Sequence, residues 1–573
     1  MTKRIQPLLR NIVYGASALV IGVSTAFADE RPNVVVILAD DLGYSDLGCY
    51  GSEISTPHLD RLAAEGTKFI NFRASAVCSP TRAMLLTGVD NHLNGFGNMY
   101  PFIDPAQEGK PGYESRLNPN AVTLATYLKD AGYHTYMAGK WNIGNTEQGL
   151  PSKRGFEHTF ALMETGASNW QRKSYLPIDD NAHFFKNGEP FDSFPDDYFS
   201  TDFYTDTIIE DIERDRADGK PFFAYLPYQA VHIPIQAPKE YIDKHANNYD
   251  EGWEFVRKAR HAAMEKMGIV PKGLTLPDLP DVRDWEALDA ESQAIESRQM
   301  AVFAAMVDNM DHNIGRLIAY LKSIGEYENT IIVFLSDNGA ENGDPITAMG
   351  AYYAQRFDLS LENMGLKNSA VAYGSEWANV SNTPLNWYKR YAGEGGFRVP
   401  FIVRYPKGAK AGVTTDAFTS VLDLVPTILD YAGVAKPGKE YGGREIAPIR
   451  GKSLRALLSG ESDFVYGNDE TFCYELCGDV AVYRGDYKLV RHMPPLGDRS
   501  WHLYNIANDL TELNDEINDK PDIRNELLAA YQEYSREVGL IEVADDYDPI
   551  SAFANRARAK IMERRRKENA NKQ

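Results

Sequence analysis

The sequence predicts an α/β protein: a large domain built on a mostly parallel sheet flanked by helices, then a smaller α+β domain with an antiparallel sheet. Three observations carry that reading. Several apolar runs are continuous and rich in β-branched residues, as expected of parallel strands covered on both faces. Amphipathic helical patterns alternate with those runs. Beyond about residue 440 the pattern changes to short alternating strands and a terminal helix.

Residues 1–28 have the layout of a signal peptide. Lys3, Arg4 and Arg10 supply a charged start, Ile12 to Val23 is mostly apolar, and Ala26-Phe27-Ala28 forms a small-residue cleavage site. The apolar stretch is short for a bilayer span, and no later segment is longer and apolar enough, so export without stable membrane association is expected. The first strand is Asn33–Ala39, ending in Asp40-Asp41. A helix over Thr56–Glu65 follows, stopped by Gly66, and another spans Ala121–Ala131. Tyr133–Ala138 is a weaker strand that runs into Gly139-Lys140. Phe222–Leu226 is a strand followed by Pro227 and then His232.

Gln299–Ile324 is a long amphipathic helix, and Ile331–Ser336 a strand ending in Asp337-Asn338-Gly339. Residues 94–120 and the proline-rich stretch Pro271–Pro280 resemble insertions or lid elements. Phe401–Tyr405 and the helix-like Val421–Ala432 close the large domain, which is expected to span 29–440. The segment 441–573 forms the small one. The charged run from Glu563 to Lys572 is expected to be a solvated helix end.

The chain has 573 residues, with 81 acidic against 60 basic side chains and a net charge of −21. Such a surface argues against a nucleic-acid partner, and loss of the basic leader makes it more negative. An anionic substrate would have to be drawn in by a local basic pocket. There are four cysteines. Cys473 and Cys477 are near enough in sequence to bridge in an oxidising compartment. Their spacing, with no second pair nearby, makes zinc improbable.

In open α/β sheets ligands bind beyond the carboxyl ends of the strands, and Asp40, Asp41, Lys140, His232, Asp337 and Asn338 all fall there. Asp40, Asp41, Asp337 and Asn338 offer hard oxygen donors, which suit Ca²⁺ or Mg²⁺ and disfavour zinc. Three carboxylates gathered in one place repel one another without a cation.

The most informative stretch is Cys78-Ser79-Pro80-Thr81-Arg82, continuing to Thr87-Gly88. Ser79 reads as an N-cap, Pro80 suits a first helical turn, and Gly88 ends the helix. Cys78 would then sit where unpaired N–H groups favour negative charge, with Arg82 one turn on and pointing back.

This Cys-x-Pro-x-Arg…Thr-Gly pattern resembles the signature of the type I sulfatases, whose cysteine is oxidised to formylglycine by a maturase before folding. The resemblance extends to Asn33–Tyr44, Gly139-Lys140-Trp141, His232-Ile233-Pro234, Gln236-Ala237-Pro238, Ser336–Ala340, and Lys389 before Glu394-Gly395-Gly396. Order and spacing are similar to periplasmic bacterial arylsulfatases along nearly the whole mature chain. That likeness implies an alkaline-phosphatase-like fold and a periplasmic or secreted enzyme releasing sulfate from a small-molecule sulfate ester. It implies Ca²⁺, with Mg²⁺ second, bound by Asp40, Asp41, Asp337, Asn338 and modified Cys78. It also implies that the formylglycine gem-diol is the nucleophile. Arg82, Lys140, His232 and Lys389 would contact the sulfate or its leaving oxygen.

One position departs from the family. A histidine usually follows Gly-Lys-Trp, whereas this chain has Asn142, which hydrogen-bonds but exchanges no proton at neutral pH. Two other readings remain open at this level: a phosphodiesterase or phosphonate monoester hydrolase of the same superfamily, and a non-catalytic metal-binding relative. A serine hydrolase is disfavoured by the lack of a Gly-x-Ser-x-Gly elbow.

Overall fold

The computed structural model describes residue 1 and residues 31–176, 181–278 and 282–570. The expected leader 1–28 lies outside them apart from Met1, as does part of the proline-rich stretch.

The strands of the large sheet are β1 (Asn33–Ala39), β2 (Thr67–Phe69), β3 (His134–Lys140), β4 (His158–Leu162), β5 (Phe184–Lys186), β6 (Glu189–Pro190), β7 (Phe222–Pro227), β8 (Thr330–Ser336), β9 (Phe401–Arg404) and β10 (Val413–Thr415). Their order is β10-β2-β9-β8-β1-β7-β3-β4-β5-β6. The middle five, β8-β1-β7-β3-β4, are all parallel. Val34 lies opposite both Phe223 and Ile331. The strand β9 runs antiparallel to β8 and β2, and β5 antiparallel to β4.

Alternation along β1 divides the core in two. Val35, Ile37 and Ala39 face one cluster, roofed by the helices α1 (Pro57–Glu65), α4 (Ser200–Asp215) and α5 (Ala290–Ser323). Val34, Val36 and Leu38 face the other, covered by α2 (Cys78–Thr87), α3 (Leu124–Asp130) and α6 (Leu424–Tyr431). Burial on both faces is why β1, β7 and β8 run through continuous apolar residues before the polar groups at their carboxyl ends.

Three helix starts differ from expectation. The helix α3 begins at Leu124 rather than Ala121, because the Thr123 side chain caps it by accepting the Thr126 N–H. The helix α5 begins at Ala290 rather than near Gln299, because Asp289 caps it by accepting the Ser292 N–H at 2.8 Å. The helix α2 begins at Cys78 itself. Its extended preceding residue is Val77, so Ser79 lies inside the first turn and caps nothing. Gly88 does end α2, in a left-handed conformation with φ 66°.

A separate four-stranded antiparallel sheet, β11 (Thr471–Leu476), β12 (Asp479–Arg484), β13 (Tyr487–Arg491) and β14 (Trp501–Asn505), is packed by α7 (Pro521–Val538). The last helix, α8 (Pro549–Ala570), follows. Cys473 and Cys477 are free thiols. Cys473 lies in β11, and four extended residues span about 13 Å, well beyond the reach of a disulfide. The Cys477 thiol instead meets Asn98 Oδ1 at 3.1 Å.

The small sheet is tied to the large one through a buried ionic cluster. Lys488 of β13 donates to Glu394 Oε1 at 3.1 Å and Glu512 Oε1 at 2.7 Å, all three side chains fully buried. Glu394 also meets Arg73 at 2.8 Å, Arg398 at 2.8 Å and the Tyr483 hydroxyl at 2.8 Å. Among the described residues, no helix is long and apolar enough to cross a membrane.

Candidate active site

Asp40 and Asp41 leave the end of β1, and Asp337 and Asn338 leave the end of the adjacent β8, so register alone brings the pairs together. Asp41 adopts φ 64°, uncommon for a non-glycine residue, which turns its carboxylate toward its partners. Its Oδ1 accepts the Asn338 Nδ2–H at 2.7 Å and its backbone N–H donates to Asp337 Oδ1 at 3.2 Å. Gly339 is required here: a Cβ would come within 1.7 Å of the Gly395 carbonyl oxygen.

The third group comes from α2. A carboxylate oxygen of Asp40, one of Asp337 and the Cys78 sulfur all lie within 4.8 Å of one another. The Cys78 side chain is buried, and Asn142 Nδ2 donates to its sulfur at 3.2 Å. Asn142 reaches it from just past β3 in a left-handed backbone, φ 54°. Arg82 is completely buried. Its guanidinium is near enough to act electrostatically on Cys78, but its hydrogen bonds go elsewhere: Nε and Nη2 donate to Asp337 Oδ2 at 2.9 and 2.8 Å, and Nη1 donates to the Lys140 carbonyl at 2.8 Å. A carboxylate oxygen that accepts two N–H groups is a better hydrogen-bond partner for a guanidinium than a thiol.

Two lysines complete the charge balance. Lys140 Nζ donates to Asp40 Oδ2 at 2.6 Å, and Lys389 Nζ lies 2.7 Å from Asp41 Oδ1. The position of Lys140 depends on Gly139, where φ is 138° and a Cβ would sit 1.9 Å from the Pro227 carbonyl oxygen. Glu341, which the sequence motifs passed over although it directly follows Ala340, meets Lys389 at 3.2 Å and Arg390 at 3.5 Å. Thr81 was also missed; its hydroxyl donates to the Asp337 carbonyl at 2.5 Å and accepts the Ser75 N–H at 2.7 Å.

His232 Nδ1–H donates to the Ile233 carbonyl at 2.6 Å, which leaves Nε2 facing Asp41 Oδ2 at 3.6 Å. Burial, set against the nearby Asp41 carboxylate and reinforced by Lys140 and Lys389, lowers this imidazole to about 3. Burial and the neighbouring Asp40 carboxylate push Asp337 up to about 6 despite Arg82.

Two buried oxygens in this cluster have no hydrogen-bond partner, Asp40 Oδ1 and Asn338 Oδ1. Unpaired buried acceptors are costly, and both belong to residues expected to ligate a hard cation. The donor set thus fits a divalent ion held by oxygen.

The sulfur and His232 open into a cleft of about 960 Å³, also lined by Lys389, Asn142, Glu164, His183 and residues 99–102. The segment expected as a lid thus forms part of its wall.

A family model described as Sulfatase matches residues 32–434, well over half the chain. The chain belongs to the sulfatase family. A second model, N-sulphoglucosamine sulphohydrolase, C-terminal, matches residues 385–536 of this sulfatase. An uncharacterized sulfatase of Schizosaccharomyces pombe is 38% identical over 536 residues, covering 90% of this chain and 96% of its own. An arylsulfatase of Klebsiella aerogenes is 38% identical over 450 residues, covering 77% of this chain and 95% of its own. Among solved structures, Ps i-CgsB in complex with k-i-k-neocarrahexaose superposes with a TM-score of 0.63 at 24% identity, covering 90% of this chain and 95% of that one. At that identity the likeness shows the fold, the alkaline-phosphatase-like architecture expected from the motifs.

Proposed function

We propose that this sulfatase is an exported arylsulfatase-type sulfuric ester hydrolase, acting in the periplasm or outside the cell. On this reading Cys78 is converted to formylglycine by a maturase acting before folding. The observation that carries the proposal is residue 78 itself: a buried side chain at the floor of the cleft, beside Asp40 and Asp337, with Lys389 lining the same space. The 38% identity to the Klebsiella aerogenes arylsulfatase supports the choice of leaving group.

Asp40, Asp41, Asp337, Asn338 and modified residue 78 would hold the metal. A set of protein oxygens this complete favours Ca²⁺ over Mg²⁺, which keeps more of its water. When bound, ion and formylglycine together supply a hydrated aldehyde as nucleophile and neutralise the carboxylates.

The chain's own groups divide the remaining work. Lys389 brings an ammonium group to the cleft, and Lys140, buried against Asp40, adds a second positive charge; together they offset charge on the sulfuryl oxygens. Arg82 fixes Asp337 through two hydrogen bonds and adds a positive charge that acts on residue 78. His232 is the general acid for the leaving oxygen. Its Nδ1–H is committed to Ile233, so in the imidazolium form the transferable proton is the one on Nε2. An anionic ester among these cations counters Lys140 and Lys389 and raises the imidazole toward its protonated form. Asn142 can orient residue 78 but cannot take its proton, so that step falls to another base or to water.

The test is mass spectrometry of the peptide spanning residue 78, together with turnover of 4-nitrophenyl sulfate, bis(4-nitrophenyl) phosphate and a phosphonate monoester. A formyl group at residue 78 and preference for the sulfate are expected. An intact thiol in active protein, or preference for a phosphorus ester, overturns the reading.

A further inference from the structure

The cleft above Cys78 is closed on one side by the last helix of the chain. Ile550, Phe553 and Ala554 of α8 line the same cavity as Cys78, His232 and Lys389. The approach to α8 is pinned to the insertion at 98–113. The Ile541 N–H donates to the Tyr113 hydroxyl at 2.7 Å, Gln107 Nε2 to the Ile541 carbonyl at 2.8 Å, and the Tyr547 hydroxyl to the Phe102 carbonyl at 2.5 Å. On the helix itself, Phe553 stacks against Phe102, with centroids 5.8 Å apart and planes at 28°. Arg556 donates to the Ile103 carbonyl at 2.7 Å. Helix and insertion therefore make one wall.

The part of that wall made by Met99, Phe102, Ile550 and Phe553 is apolar, with Glu114, Ser115 and Arg116 farther along the same insertion. Ile550 keeps 38% of its surface exposed and Tyr100 46%. Large apolar side chains left open inside a concave site, continuous with catalytic groups, mark a place where an apolar ligand surface is buried. Polar anchors stand elsewhere in the cleft, such as His183 paired with Glu164 at 2.5 Å.

We propose that α8 is a specificity element: Ile550 and Phe553, with Phe102, receive the hydrocarbon part of the leaving group and favour sulfate esters of apolar phenols or alcohols over sulfated sugars. This rests on the sulfatase chemistry proposed above. Sugar hydroxyls set against Ile550, Phe553 and Phe102 would lose water without gaining hydrogen-bond partners there, whereas an aromatic ring loses nothing of that kind.

The experiment compares full-length protein with Phe553→Ser, Ile550→Ser and the double variant. Ile550 is exposed and Phe553 half-buried; because Phe553 also seats α8 on Phe102, the single Ile550→Ser variant and Phe553→Leu, which keeps an apolar contact, separate loss of the wall from release of the helix. Two readouts are taken: kcat/KM for 2-naphthyl sulfate relative to D-glucosamine 6-sulfate, and binding of 2-naphthol by fluorescence. In the double variant the ratio is expected to fall about tenfold, equivalent to withdrawing ~55 Å² of apolar contact, and 2-naphthol affinity to weaken by a similar factor. Phe553→Leu should retain most of both. If wild type turns over neither ester but loses naphthol binding in the double variant, the wall stands and only the reaction assignment fails. Sulfate turnover with an unaltered ratio, or naphthol binding indifferent to the substitutions, overturns the proposal.

Discussion

Replacing Lys488 by methionine should test how the two sheets are held together. Its ammonium lies 3.1 Å from Glu394 and 2.7 Å from Glu512, with no exposed surface on any of the three. Glu394 would keep Arg73, Arg398 and Tyr483, but Glu512 would lose the one salt bridge it has among the described residues. Burial already lifts Glu512 above the usual carboxylate range against the pull of Lys488. Without that pull the carboxyl takes up a proton in the folded state. Holding it neutral at pH 7 costs at most about 3.7 kcal/mol, from an unfolded value near 4.3 and about 1.36 kcal/mol per unit. The cost of breaking a buried ion pair, about 3–5 kcal/mol, has the same size. A loss of about 2–4 kcal/mol at pH 7 is therefore expected. The sign follows from the raised value: such a carboxyl favours the fold below its unfolded value and loses that advantage as pH rises. The deficit should shrink to no more than about 1 kcal/mol at pH 5. Urea unfolding followed by tryptophan fluorescence at both pH values measures it, and adding Glu512→Gln should recover most of the loss. A deficit equal at the two pH values, or under about 1 kcal/mol at pH 7, refutes the reasoning.

Two further substitutions address the chemistry. His232→Gln should lower kcat on phenyl sulfate by about 10²–10⁴-fold while 4-nitrophenyl sulfate, whose leaving group needs less protonation, suffers less; equal losses on both would remove His232 from the acid role. Asn142→His should speed the regeneration of residue 78, by up to about 10²-fold, in single-turnover experiments that separate release of phenol from release of sulfate; a slower variant would show that this chain's own arrangement does not use a base at residue 142.

Much of the site was legible because parallel strands leave their polar residues at one edge. Asp40-Asp41 and Asp337-Asn338 end continuous apolar runs, and neighbouring strands in register bring them together. Arg82 was legible as part of a motif but not in its orientation, since its partner Asp337 is 255 residues away. The start of α5 was misplaced because its amphipathic pattern weakens toward Asp289, where the cap rather than periodicity sets the boundary. The antiparallel direction of β9 left no mark on Phe401–Arg404, which is buried like its parallel neighbours. The entry of Ile550 and Phe553 into the cleft was invisible, because their helix is polar overall and the residues that seat it lie near position 100.

The central sheet also sets a timetable for synthesis. The strand β1 pairs with β7 and β8, so its neighbours are not made until residues 222–227 and 330–336 emerge. At ~5–20 residues per second, the interval between translation of residue 78 and of residue 336 is roughly 13–50 s. Throughout it the thiol, 2% exposed in the finished protein, has no floor of strands to be sealed against. Any enzyme that must reach that sulfur has its opportunity while the nascent chain is still waiting for the strands that will close over it.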